Sequence, residues 1–349
     1  MSRSHSIAVI AGDGIGPEVV SVALACAERA AARHDVRLTW RELDWGCERY
    51  ARSGTFMPDD GLDQLASADA ILLGAVGWPS VPDHLSLWGL LIPIRRAFDQ
   101  YVNLRPARLL PGVVSPLRGV DELDLVIVRE NVEGEYSQVG GVVEENARAT
   151  TALQQSVFTR RGIERVTRYA AKLAAERSGR LTSATKSNGL VHSMPFWDQV
   201  VAEVCAQEDV AVEAVHVDAL AARLVTAPGS CDVVVGSNLF GDILSDLASA
   251  IAGSLGVAPS ANLNPERDHP SMFEPIHGSA PDIAGKGVAN PVATLWAASM
   301  MLAHLGEAEA ADDLYSAFTG VMADGCLTAD LGGSATTSEF GAEVVRRLS

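Results

Sequence analysis

The apolar run NLFGDILSDL, residues 238–247, carries two aspartates four positions apart. If the run is helical, Asp242 and Asp246 leave one face about a turn apart, and like charges at that spacing repel. The positive end of a helix would welcome Asp242 but not Asp246, which lies a turn further in. A hard divalent cation accounts for both. Ions such as Mg²⁺ take one or two carboxylates and complete their shell with water and substrate oxygens. Asp218, at the end of the Val-rich stretch in VHVDALAARL, offers a third acid.

The basic residues add a second strand of chemistry. Only Lys172, Lys186 and Lys286 are lysines among 27 basic residues. Lys186 in SATKSNGL is therefore a choice over arginine, and the difference is that lysine can give up its proton in a suitable environment. Arg95, Arg96, Arg105, Arg108 and Arg129 crowd one region of a chain whose net charge is −17. Guanidinium forks gathered in this way suit a small anion. Tyr136, seven residues after Arg129 in RENVEGEYS, reads by itself as a half-buried loop tyrosine.

Such groups need elements to hold them. IAVIAG, VRLTWREL, ADAILLGAV, DLVIVREN and CDVVVGSNL read as strands. EVVSVALACAERAAAR, GIERVTRYAAKLAAERS, FWDQVVAEVCAQE and PVATLWAASMMLAHLG carry helical periods. The alternation predicts an α/β fold with a largely parallel core. Residues 137–159 interrupt it, and their mixed pattern reads as a long loop or a protruding arm, the loop being favoured by pattern alone. GDGIGP, residues 12–17, is G-x-G-x-x-P, a weak match to a dinucleotide fingerprint; a glycine turn with Pro17 opening a helix accounts for it.

At 349 residues and 48% hydrophobic, the chain has room for two domains. The strongly acidic balance disfavours nucleic acid. No apolar stretch is long enough for a membrane span. Five scattered cysteines without a CxxC argue against a disulfide framework or thiolate zinc site. The expectation is an untargeted cytoplasmic protein.

Six blocks, NLRPARL, VRENVEGEYS, TKSNGL, VDALAARL, NLFGDILSDL and FEPIHGSAPDIAGKGVANP, together resemble the β-decarboxylating dehydrogenases of isopropylmalate, isocitrate and tartrate or D-malate, in the family's order and across most of the chain. The resemblance implies a non-Rossmann fold of two α/β domains. Residues 1–100 and 253–349 would form the cofactor domain. Residues 101–252 would form the dimerisation and substrate domain, with an interlocking arm at about 137–159, and the active site would lie in the cleft. It implies Arg95, Arg105 and Arg129 as clamps on substrate carboxylates, Asp242 and Asp246 as metal ligands, and Lys186 and Asp218 as residues donated by the second subunit of a homodimer. Asp218 then completes the Mg²⁺ or Mn²⁺ site, Lys186 is the base and Tyr136 the acid; a K⁺ requirement stays open. The stretch with His277, Gly278, Ala280, Asp282 and Asn290 matches the cofactor-binding loop. Asp282 stands where NAD users carry an acid for the ribose hydroxyls, and it would repel the 2′-phosphate of NADP.

Substrate choice rests on the residues before Arg95. Isocitrate enzymes place a serine and an asparagine six and four positions upstream; here Gly89 and Leu91 stand there, so a third carboxylate would go unpaired. Seven positions upstream, isopropylmalate enzymes tend to carry glutamate; here Trp88 would shrink the side pocket. The expectation is (R)-malate oxidised and decarboxylated to pyruvate, with tartrate a further small hydroxy-dicarboxylate substrate. Isopropylmalate dehydrogenase is the alternative. A non-catalytic regulatory subunit is the remote one, since Tyr136, Lys186, Asp218, Asp242 and Asp246 are all present.

Overall fold

A computed structural model describes residues 3–146 and 149–349. In chain order the strands are β1 (Arg3–Gly12), β2 (Val36–Glu42), β3 (Ala70–Ala75), β4 (Val102–Arg108), β5 (Asp124–Glu130), β6 (Gly140–Asn146), β7 (Ala149–Gln154), β8 (Arg180–Thr185), β9 (Ala211–His216), β10 (Val233–Gly236), β11 (Pro259–Leu263) and β12 (Ser271–Pro275). The α-helices are α1 (Gly16–Ala32), α2 (Cys47–Ser53), α3 (Gly61–Ala66), α4 (Asp83–Ser86), α5 (Ile92–Ala97), α6 (Arg160–Ala175), α7 (Ser193–Gln207), α8 (Val217–Thr226), α9 (Asn238–Ile251), α10 (Val292–His304), α11 (Ala308–Ala323) and α12 (Thr337–Arg347). The α/β class expected from the alternation is what the chain adopts. No described helix is long and apolar enough to cross a membrane. All five cysteines are free thiols.

The chain divides into two compact units. The first gathers Met1–Gln100, Arg105–Glu122 and Ser249–Ser349; the second holds Tyr101–Leu104 and Leu123–Ala248. In the first, the strand order is β2-β1-β3-β12-β11, parallel throughout except that β11 runs against β12. β1 and β3 read as near-continuous apolar runs because both faces are covered. Ala8, Ile10, Ile71 and Leu73 point into a cluster with Phe56, Leu65, Leu90 and Ile94. α1, α10, α11 and α12 build another cluster, in which α10 is buried on nearly every side, so its sequence lacks a polar face.

The second unit stacks β5, β10, β8 and β9 in parallel. Thr159 caps α6 by accepting from the Gly162 amide at 3.0 Å. Trp197 of α7 is fully buried and donates to Ser183 Oγ at 3.0 Å. Gly140–Asn146 and Ala149–Gln154 do not form a plain loop: as β6 and β7 they pair in an antiparallel ribbon outside the large sheet. The pattern reading failed because the ribbon has no buried face to impose alternation. Val142, Val143 and Leu153 all lie exposed on it.

Between α4 and α5 the helix takes one π-turn, Leu87–Leu91, with the Ile92 amide reaching the Leu87 carbonyl. Pro93 explains it: a proline lacks the N–H for an α-helical bond and its ring crowds the carbonyl four residues back, and the extra residue of a π-turn relieves both.

Candidate active site

In a parallel sheet, the loops after the C-terminal ends of the strands share one edge, which is where α/β folds bind ligands. Within the second unit, every sequence-predicted reactive residue follows such an end. Arg129 lies at the end of β5, Lys186 follows β8, Asp218 opens α8 after β9, and Asp242 and Asp246 lie on α9 after β10.

Arg129 is 2% exposed. Its Nε and Nη2 donate to Asn238 Oδ1 at 3.0 and 2.7 Å, and its Nη1 donates to Asp242. Tyr136 is half-buried, as its loop position implied, and its hydroxyl donates to the other Asp242 oxygen at 2.7 Å. The Arg129 guanidinium lies 5.4 Å from the Tyr136 ring centre. Gly241 permits this approach, since a Cβ there would stand 2.6 Å from Arg129 Cβ. Glu135 locks the loop to α9, accepting from Ser237 Oγ at 2.7 Å and the Leu239 amide at 3.0 Å. Asn238 and Glu135 escaped sequence reasoning; the signal was a capping-type Ser-Asn pair directly after a Val-rich strand.

Lys186 Nζ donates to Asp218 Oδ1 at 2.5 Å. That bond holds the exposed Asp218 carboxyl below its ordinary range. Among the described residues no three His, Cys, Asp or Glu side chains gather as a metal cage. The donors present are hard carboxylate oxygens, the chemistry Mg²⁺ and Mn²⁺ take, with Asp242 and Asp246 one turn apart on α9 and Asp218 paired with Lys186.

Glu130, beside Arg129, is a buried carboxyl that sequence reading passed over, although an acid closing the strand DLVIVRE is itself a signal. It accepts from the Val132 and Glu133 amides at 3.1 and 2.8 Å, yet burial pushes its pKa up to about 8. The folded chain therefore holds a proton that the unfolded chain has lost above its ordinary range, near 4.5. Stability falls as pH rises through that window, up to about 8. The melting temperature of the parent should drop relative to Glu130→Gln between pH 5 and pH 8, and the two should match at pH 5. Parallel curves across this range would show that Glu130 does not titrate there.

In the first unit, Arg95 is buried, with Nη2 donating to Glu274 Oε1 at 2.9 Å. Its buried Nε has no partner among the described residues. Arg105 is buried on β4. Trp88 lies in the π-turn, which adds one residue to the helical spacing between it and the arginines downstream. The guanidinium over the Trp88 ring is accordingly that of Arg96, at 5.1 Å. Trp88 also borders a cavity of about 550 Å³ with Tyr50, Phe56 and His84. Leu91 is half-buried against the Phe56 cluster. Gly89 has a packing reason of its own: a Cβ there would meet Phe56 Cδ2 at 2.4 Å, so serine does not fit.

The loop from His277 to Asn290 follows β12. His277 Nε2 is buried with no partner among the described residues, and burial lowers its pKa, so the ring is neutral at pH 7. Ala280 takes a left-handed φ of 39°. Gly278 and Asp282 are exposed, and the Asp282 carboxylate accepts no hydrogen bond among the described residues. Glu18 of α1 holds the loop through the Gly285 and Gly287 amides. Asn290 is engaged already, donating to Asp330 at 3.0 Å and accepting from Val292. An unpartnered buried nitrogen, an open carboxylate and a pinned loop fit a nucleotide.

A family model described as isocitrate/isopropylmalate dehydrogenase matches residues 6–344. The chain is 50% identical to a tartrate dehydrogenase/decarboxylase of Pseudomonas putida, covering 100% of this chain and 99% of that one. It is 52% identical to a D-malate dehydrogenase [decarboxylating] of Escherichia coli, covering 97% of each. A crystal structure of isocitrate dehydrogenase from Methylococcus capsulatus superposes with a TM-score of 0.89 at 34% identity, over 99% of both chains.

Proposed function

Since the chain belongs to the isocitrate/isopropylmalate dehydrogenase family, we propose that it catalyses the NAD-dependent oxidative decarboxylation of (R)-malate to pyruvate and CO₂, with tartrate a further substrate. The observation that carries this reading is the Arg129–Asp242–Tyr136 cluster at the strand ends of the second unit. It joins a carboxylate clamp, a metal-ligand carboxylate and a proton donor. The similarity to tartrate and D-malate enzymes supports the substrate class.

Asp242 and Asp246, with Asp218 from a second copy of the chain, would hold Mg²⁺ or Mn²⁺, which polarises the substrate's C2 oxygen and C1 carboxylate. NAD⁺ held along the loop of His277, Gly278, Ala280, Asp282 and Asn290 would accept the hydride. Arg95, Arg105 and Arg129 bind the carboxylates. Arg129 exchanges its contact with Asp242 for a substrate carboxylate, and that exchange releases the Asp242 oxygen that Arg129 held. Lys186 takes the C2 hydroxyl proton, relayed by water or by Asp218, to which it is hydrogen-bonded. Tyr136 protonates the carbon that CO₂ leaves.

A homodimer with shared sites follows from the same reading. A two-stranded ribbon is marginal alone, and the β6–β7 ribbon exposes valines and a leucine that a second copy would cover. Ile243, between the two aspartates, is 55% exposed and belongs to the same surface chemistry.

Comparative kinetics test the substrate and cofactor readings together. With Mn²⁺, kcat/KM should be highest on (R)-malate, measurable on tartrate, lower on isopropylmalate and negligible on isocitrate. NAD⁺ should be preferred over NADP⁺, and Asp282→Lys with Ile283→Tyr should move that preference toward NADP⁺. Highest kcat/KM on isopropylmalate would establish the alternative. No turnover on any of the four would overturn the enzymatic reading.

A further inference from the structure

We propose that Trp78 is the surface on which the cationic nicotinamide ring of the oxidised cofactor stacks, and that Asp13 holds it there. The proposal rests on the dinucleotide reading above, and it gives the GDGIGP motif a role.

Trp78 is 41% exposed, an unusual position for an indole with no buried partner to satisfy. Its backbone is nonetheless rigid. Trp78 and Val81 close a tight turn through a 2.9 Å bond, with Pro79 at the second position. The side chain lines a cavity of about 480 Å³ together with Gly12, Asp13, Gly14, Cys47 and Ala284. Ala284 lies in the cofactor-binding loop, so the cavity runs from that loop to the indole.

GDGIGP is not a phosphate cradle. The Asp13 carboxylate turns inward and fills the place an anion would take. It accepts from the Cys47 amide at 2.8 Å and the Gly77 amide at 2.9 Å. The Asp13 amide donates to the Ala75 carbonyl at 2.7 Å, and the Ile15 amide donates to the Ser279 carbonyl at 2.9 Å. Gly12 and Gly14 take left-handed φ of 74° and 60°, and a Cβ on either would stand about 2 Å from a neighbouring carbonyl oxygen. The Asp13 carboxylate thus ties the start of α2 and the segment after β3 to the end of β1, while the backbone of the glycine turn bonds Ala75 and Ser279. The last link before the indole is the Asp13–Gly77 bond. Burial, then Asp13, pushes the Cys47 thiol up to about 12, so the cysteine in this wall is a neutral bystander.

The charge picks the ring. The oxidised nicotinamide is a flat cation, and an indole face in a cavity that a carboxylate also lines attracts a flat cation. The reduced ring and the adenine are neutral and gain less.

Calorimetric titration with NAD⁺, NADH and ADP-ribose tests this without turnover. Trp78→Ala should weaken NAD⁺ about tenfold, weaken NADH less and leave ADP-ribose, which lacks the nicotinamide, unchanged. Trp78→Phe should restore most of the loss, and Trp78→Leu, apolar but without a π-face, should not. Asp13→Asn should weaken NAD⁺ in the same way, with the double variant no worse than either single one. If Asp13→Asn does not fold, the Trp78 series decides alone. Unchanged NAD⁺ affinity in Trp78→Ala, or an equal loss for ADP-ribose, would overturn the proposal. Failure of the parent to bind any of the three would instead overturn the dinucleotide reading and this proposal with it.

Discussion

Lys186→Arg should lower kcat on (R)-malate by about 10²–10⁴-fold, the range for losing a positioned proton-transfer group. Arginine keeps the charge and can still donate to Asp218, but it does not release its proton. The melting temperature should hardly move, because Lys186 and Asp218 form a partly exposed pair of the kind that contributes little to stability. Malate affinity measured with Mn²⁺ but without NAD⁺ should also stay close to the parent. A loss of kcat with intact binding separates proton transfer from substrate clamping. If Lys186→Arg retained most of its turnover, the base would have to be sought elsewhere, with Asp218 the next group to replace.

Asp242→Asn should remove turnover and the response to metal together. In the parent, one Asp242 oxygen neutralises the buried Arg129 and the other accepts from Tyr136. Asparagine keeps one acceptor and turns an amide N–H toward one of those donors. Arg129 retains Asn238 but loses the Asp242 charge, a loss of about 1–3 kcal/mol for a charge-assisted contact. The metal-free variant should melt below the metal-free parent. Mn²⁺ should raise the parent's melting temperature by mass action and leave that of the variant unchanged. The same rise with Mn²⁺ in both proteins would show that Asp242 is not a ligand.

What could be read before folding depended on how directly spacing reports position. Asp242 and Asp246 were legible because two acids four apart in a leucine-rich run need an explanation, and α9 puts them on adjacent turns. Arg129 was legible because a Val-rich strand ends on it, and Lys186 because lysine is rare in this chain and follows a strand. Trp88 was legible only by its position upstream of Arg95; spacing could not show the π-turn there or the Arg96 guanidinium over its ring. Asp13 was hidden inside a glycine turn whose motif resembles a phosphate loop. Its meaning lies in amides from two other segments, which no local pattern records. Residues 137–159 were ambiguous because a ribbon with both faces exposed has no buried positions to set a period.

In the proposed reaction two copies of the chain complete each site. Co-expression of Lys186→Met and Asp242→Asn chains, each inactive alone, tests it most directly. In a mixed dimer one site would carry both lesions and the other neither. Random pairing should therefore restore NADH and pyruvate formation from (R)-malate to about a quarter of the parental rate. Activity no higher than that of either variant alone would contradict a site shared between copies.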